Sequence, residues 1–195
     1  MFFARRPSSA VIERFLNASR DLPLSYEPIG IVCEAPVEGH FDEEVVVIGR
    51  GDNDFDRACA ALTDWKQFDI GWVETFPKNA PLKAGTIVAV LVRHFGFWSL
   101  NGCRVVYPAA SSESRRRFGF AYGTLTNHGE SGEELFEVFI DPRSGDIMYR
   151  IRAISWPQAP LARIGQPIVR ALQARFRKDS VAAMKRATTR DGARP

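Results

Sequence analysis

Apolar residues recur with the helical period over the last long stretch of this chain, Pro157 to about Ala187. They fall at Leu161, Ile164, Ile168, Leu172, Phe176 and Ala183, in steps of three, four or seven. Arg163, Arg170, Arg177, Lys178 and Lys185 lie off that stripe. Such a helix is not stable alone in water and must lay its apolar face on another element. Pro167 lacks an amide donor and its ring clashes with an earlier carbonyl, which predicts a kink or a fresh start near Gly165.

The surface for that helix is predicted by what precedes it. Strand patterns cover Glu44–Gly49, Gly71–Phe76, Gly85–Phe95, Cys103–Tyr107, Arg116–Thr126, Glu133–Ile140 and Ile147–Ile154. Phe136, Val138 and Ile140 share one face, as do Ile147, Tyr149, Ile151 and Ala153. Between these two strands Asp141-Pro-Arg-Ser-Gly145 reads as a hairpin, with Gly145 in the left-handed position. Short connections imply antiparallel neighbours. Two short helices are predicted upstream: one from Ser8 or Ser9 to Ser19, the other over Phe55–Thr63 with a further turn through Trp65 and Phe68. Residues 34–44, acidic and punctuated by Gly and Pro, read as a loop.

This order predicts an α+β, helix-grip arrangement. A curved antiparallel sheet of about seven strands wraps around a long C-terminal helix, with short helices near the N-terminus. One domain over residues 1–187 is expected, with 1–40 as an N-terminal extension and 188–195 as a disordered tail.

Composition adds a bias toward phenylalanine, 14 residues against 4 Tyr and 4 Trp. Such rings fill cores and also line apolar pockets. Net charge is +3, but residues 161–195 hold nine Lys/Arg against two Asp/Glu, so +7, leaving −4 for residues 1–160. A solvated basic helix face accounts for this, and there is no strong nucleic-acid or membrane signal. Cys33, Cys59 and Cys103 are odd in number and far apart, without metal or disulfide spacing. Buried free thiols in a reducing cytoplasm are expected. No secretory signal or membrane-spanning run is read, so a cytoplasmic location is expected. Nothing in the pattern sets an oligomeric state.

Candidate chemistry concentrates in two places. His128, Glu130, Glu133 and Glu134 flank a turn between two strands. A His with a neighbouring carboxylate can serve as a general base and its orienter, so His128, Glu130 and Glu134 are the catalytic candidates. The alternative is a hairpin tip whose glutamates point to water. The spacing is a weak metal signal, and no metal is expected. Arg104 and Tyr122 sit inside apolar strands. Alternation places Cys103, Val105 and Tyr107 on one face and Arg104 with Val106 on the other. A buried Arg104 needs a carboxylate such as Glu134 or an anionic ligand. Trp72, Trp98, Arg104, Tyr122 and Leu172 are the ligand-binding candidates. The chain has no phosphate-binding glycine loop, G-x-S-x-G, CxxC or HExxH, so no cofactor is expected.

Several motifs together carry a family resemblance. They are Trp65 with Gly71-Trp-Val73, Asn101-Gly-Cys-Arg-Val-Val-Tyr107, Gly119-Phe-Ala-Tyr-Gly-Thr-Leu125 with His128 and Gly132-Glu-Glu134, and Pro160-Leu-Ala-Arg-Ile-Gly165 with Gln173, Arg175 and Phe176. Over about residues 24–187 the chain resembles the uncharacterised domain-of-unknown-function family 1990, UPF 0548-like. Element order relates that family to START-like (SRPBCC) helix-grip proteins. The resemblance implies no catalytic residue. Three uses remain open: a binding module for a hydrophobic or amphipathic small molecule between sheet and helix, a cyclase-, hydrolase- or dehydratase-like enzyme using His128 with a neighbouring Glu, or an interaction protein with a filled core.

Overall fold

The structure, a computed structural model, describes residues 1–33, 39–109, 116–157 and 166–189. Seven antiparallel strands make one continuous path: β2 (His40–Arg50), β3 (Val73–Phe76), β4 (Ile87–His94), β5 (Phe97–Ala109), β6 (Arg117–Thr124), β7 (Glu130–Ile140) and β8 (Asp146–Pro157). Their order is β2-β8-β7-β6-β5-β4-β3, and a two-residue β1 (Phe2–Phe3) pairs with β5 off that path. Among the described residues three α-helices accompany them, α1 (Ser9–Ser19), α2 (Asp52–Thr63) and α3 (Gln166–Thr188). The expected α+β helix-grip arrangement, a curved antiparallel sheet with a long C-terminal helix, is thus the observed one.

The two faces of the sheet are closed differently. On the inner face, Val88, Val105, Phe120, Phe136, Val138, Ile147, Tyr149 and Ile151 pack against α2, α3 and the 3-10 turn Lys66–Phe68. Trp65 precedes that turn at φ 57, in the left-handed region that side chains rarely adopt, and donates from Nε1 to the Ala80 carbonyl at 2.7 Å. This anchoring aims Phe68 at Phe136 and Phe176, with ring centroids 5.5 and 5.3 Å away.

On the outer face, the first 33 residues cover the sheet. Ile12 and Phe15 of α1 pack on Ala89, Leu91 and Leu100, and Val32 packs on Ala121, Leu135 and Ile154. Tyr26 lies flat on β6 because residue 123 is glycine; a Cβ there would sit 2.1 Å from the Tyr26 hydroxyl. Two covered faces explain why the central strands read as apolar runs rather than alternating ones.

Most predicted elements are present, with three differences. β4 and β5 form a hairpin whose two-residue turn is Phe95–Gly96, at φ 48 and 80. Two positive φ values mark a primed turn, whose usual first residue is Asn, Asp or Gly, so Phe hid it. β2 starts at His40, inside the expected loop. A bulge between Val105 and Tyr107 carries Tyr107 to the outer face, away from Cys103 and Val105, against the simple alternation. The fresh start predicted near Gly165 is observed: α3 runs from Gln166, with Pro167 in its first turn where a missing donor costs nothing. Leu161 and Ile164 of the predicted stripe, and residues 190–195 of the predicted tail, lie outside the described residues. Ile168, predicted on the buried stripe, is 52% exposed; Leu172 and Phe176 are half-buried and Ala183 is buried.

Candidate functional site

Between α3 and the inner face lies a cavity of about 540 Å³, walled mainly by Phe68, Trp72, Val90, Tyr122, Leu172 and Phe176. Side-chain size along the strands explains where it opens. Toward α2 the inner positions are Phe120, Phe136 and Tyr149, which meet the helices and fill the space. Toward the other end they become Ser99, Thr124, Ala153 and Ser155, whose short side chains leave space beneath α3; the helix meets them there only through Gln173 Nε2, which donates to Ser155 Oγ at 3.4 Å.

The helix is held over this gap at its flanks. Tyr149 Oη lies 2.9 Å from Ser180 Oγ, and Trp72 Nε1 donates to Asp179 Oδ2 at 2.8 Å. Arg175 stacks over the Trp72 ring at 4.7 Å. On the β2 side Arg177 pairs with Asp42 at 3.0 Å, and Arg170 reaches His40 Nδ1 at 2.9 Å.

The polar lining gathers on β7 and the turn before it. Glu134 faces the cavity and accepts a 2.5 Å hydrogen bond from Tyr122 Oη. Burial pushes its carboxyl up to about 7, against the opposing pull of the Tyr122 bond and the Arg177 charge. Two residues along the same face from Gly132, Glu130 also lines the cavity; burial raises its carboxyl, and Gln173 Nε2 donates to it at 3.1 Å. His128 Nδ1 accepts from the Glu130 amide at 2.9 Å, which assigns its proton to Nε2. Burial lowers the imidazole to about 4, so it is neutral at physiological pH. Among the described residues no three His, Cys, Asp or Glu side chains are placed to hold a metal ion.

A family model described as "Domain of unknown function (DUF1990)" matches residues 25–183. The chain belongs to the DUF1990 family. It is 34% identical over 206 residues to a UPF0548 protein of Dictyostelium discoideum, covering 96% of this chain and 95% of that one. It is 31% identical over 193 residues to a UPF0548 protein of Arabidopsis thaliana, covering 92% and 93%. Among solved structures it resembles a hypothetical protein of Helicobacter pylori, with TM-score 0.53, 11% identity, and coverage of 77% of this chain and 89% of that one. At that identity the likeness concerns the fold alone.

In this DUF1990 chain Trp72, Tyr122, Leu172, His128, Glu130 and Glu134 come together at the cavity. Trp98 and Arg104 do not. Trp98 points to the outer face and packs beside Ile12 and Phe15 of α1. Arg104, also outward, donates to the carbonyls of Arg20 at 3.1 Å and Leu22 at 2.6 Å, capping the C-terminal end of α1. Its expected pairing with Glu134 is ruled out because the two sit on opposite faces. The glutamates are not a solvated tip: Glu133 is 2% exposed on the outer face, where Tyr26 Oη, Tyr107 Oη and the Gly30 amide donate to it. All three cysteines are free, but of the thiols expected to be buried only Cys103 is; Cys59 is half-buried and Cys33 exposed. Asp42, Gln173 and Arg177 were missed as site residues. The signal for Asp42 was the alternation Asp42, Glu44, Val46, which continues the strand back into the supposed loop.

Proposed function

We propose that this chain is a binding module for a hydrophobic or amphipathic small molecule held between the sheet and α3. The observation supporting it is the cavity of about 540 Å³, with apolar walls and a few convergent polar groups. Ligand pockets have this volume, roughly 300–1,000 Å³, and this make-up. A filled-core interaction protein would not leave such a space. No helix among the described residues is long and apolar enough to cross a membrane. The free thiols fit a reducing compartment such as the cytoplasm.

Native mass spectrometry of the purified protein should show a co-purified ligand, and an apolar fluorescent probe should bind saturably to the folded chain. Ala153 lines the cavity, so Ala153→Trp should abolish probe binding. Unchanged probe affinity in that variant, or no binding to the wild type, overturns the reading.

A second reading, acid–base catalysis, is favoured by the 2.5 Å Tyr122–Glu134 bond inside an apolar cavity. A carboxyl near 7 can both give and take a proton at physiological pH. In this reading Glu134 acts with Tyr122. His128 is not oriented by a carboxylate, because its Nδ1 is engaged by the backbone of its own turn.

A further inference from the structure

The ligand's polar group can be narrowed by asking which charges around the cavity are already answered. Arg177 is paired with Asp42 at 3.0 Å and lies 4.0 Å from Glu44, and Arg170 sits against His40 at the exposed start of α3. Arg177 is therefore committed to the carboxylates of β2, and Arg170 is held at the outer rim against the His40 imidazole. The carboxylates further in are not committed in this way. Among the described residues, no lysine or arginine lies within ion-pair distance of Glu130 or Glu134, whose side-chain donors are the neutral Gln173 and Tyr122. Both carboxylates project from one face of β7 into the same apolar space. We propose that the cavity selects an amphipathic cation, an apolar body bearing a protonated amine that lies against Glu134 and Glu130. This rests on the binding reading above and names the chemical class of the ligand.

The surroundings of Glu134 on every packed element fit this assignment. Tyr122 on β6 is its donor. Cys103 on β5 and Tyr149 on β8 both feel its charge, and burial raises both groups, which keeps them neutral. Asp42 on β2 and Glu130 on β7 add negative charge, and among the described residues the positive contribution comes from Arg177 on α3, already shared with Asp42. An arriving ammonium therefore supplies the counter-charge that Glu134 lacks. It also favours the ionised carboxylate, so binding displaces a proton while the carboxyl is still protonated.

The test is calorimetric titration of the full chain with decylamine, decanol and decanoate, which share a tail and differ in head group. Decylamine should bind about tenfold or more tighter than decanol, and decanoate weakest. Decylamine affinity should rise by about tenfold between pH 6 and pH 8 as Glu134 ionises, while decanol affinity stays level. Glu134→Gln should erase the amine preference and the pH dependence, and keep decanol binding. Should that variant fail to fold, Glu130→Gln and the wild-type pH profile carry the same test. Equal binding of all three probes, tightest binding of decanoate, or an amine preference surviving in both glutamine variants overturns cation selection and leaves the binding reading standing. If none of the three binds, both fall.

Discussion

Glu133 and Glu134 are adjacent in β7, and the chain supplies them very differently. Glu133 faces outward into a socket built by the N-terminal segment, with donors at 2.7 Å from Tyr26, 2.9 Å from the Gly30 amide and 3.0 Å from Tyr107. Glu134 faces inward and meets one donor, Tyr122, at the edge of a cavity. The difference teaches how to tell a structural buried carboxylate from one kept for a ligand. The first has its lone pairs satisfied by the chain itself. The second is removed from water and left partly unanswered.

The contrast predicts opposite mutational signs. Glu133→Ala leaves two phenols and an amide without their acceptor, and should cost about 3–5 kcal/mol in chemical denaturation. A loss below about 1 kcal/mol would erase the distinction. Glu134 should behave the other way. Its carboxyl holds a proton more tightly in the folded chain, near 7 against an ordinary 4.5. The stability this contributes is complete below about pH 4.5 and is lost as pH rises through 7. Glu134→Gln cannot ionise, so it should be more stable than wild type by about 3 kcal/mol at pH 8 and nearly equal at pH 4.5. Urea titrations at the two pH values check this, and a variant less stable at pH 8 would make Glu134 structural. The smallest effect is expected for Arg104→Met, about 1 kcal/mol, for the lost cap on α1. Probe binding in the cavity should not change; a weakened probe would tie the outer face to the inner one.

Strands β7 and β8, and the Leu172, Phe176 and Ala183 part of the α3 stripe, were legible because each repeats a period over many residues, and Phe136, Val138, Ile147, Tyr149 and Ile151 do lie on one inner face. Departures came where a single residue reset the phase. The bulge before Tyr107 moved that ring across the sheet, and the Phe95–Gly96 turn carried no usual turn residue first. Half of the site was legible as residue types out of place: Tyr122, Glu130 and Glu134 are polar groups among apolar neighbours.

Sequence alone determined the order of elements, the helix-grip class and the family, since these depend on local period and on motifs read in one dimension. Which way each polar residue faced was a tertiary matter. Arg104 and Trp98 looked like site residues until the N-terminal segment was seen to cover the outer face and take both. The cavity, too, belongs to no single stretch. It exists because Ser99 of β5, Thr124 of β6 and Ala153 and Ser155 of β8 are brought together beneath α3, and their shortness matters only once they share a wall.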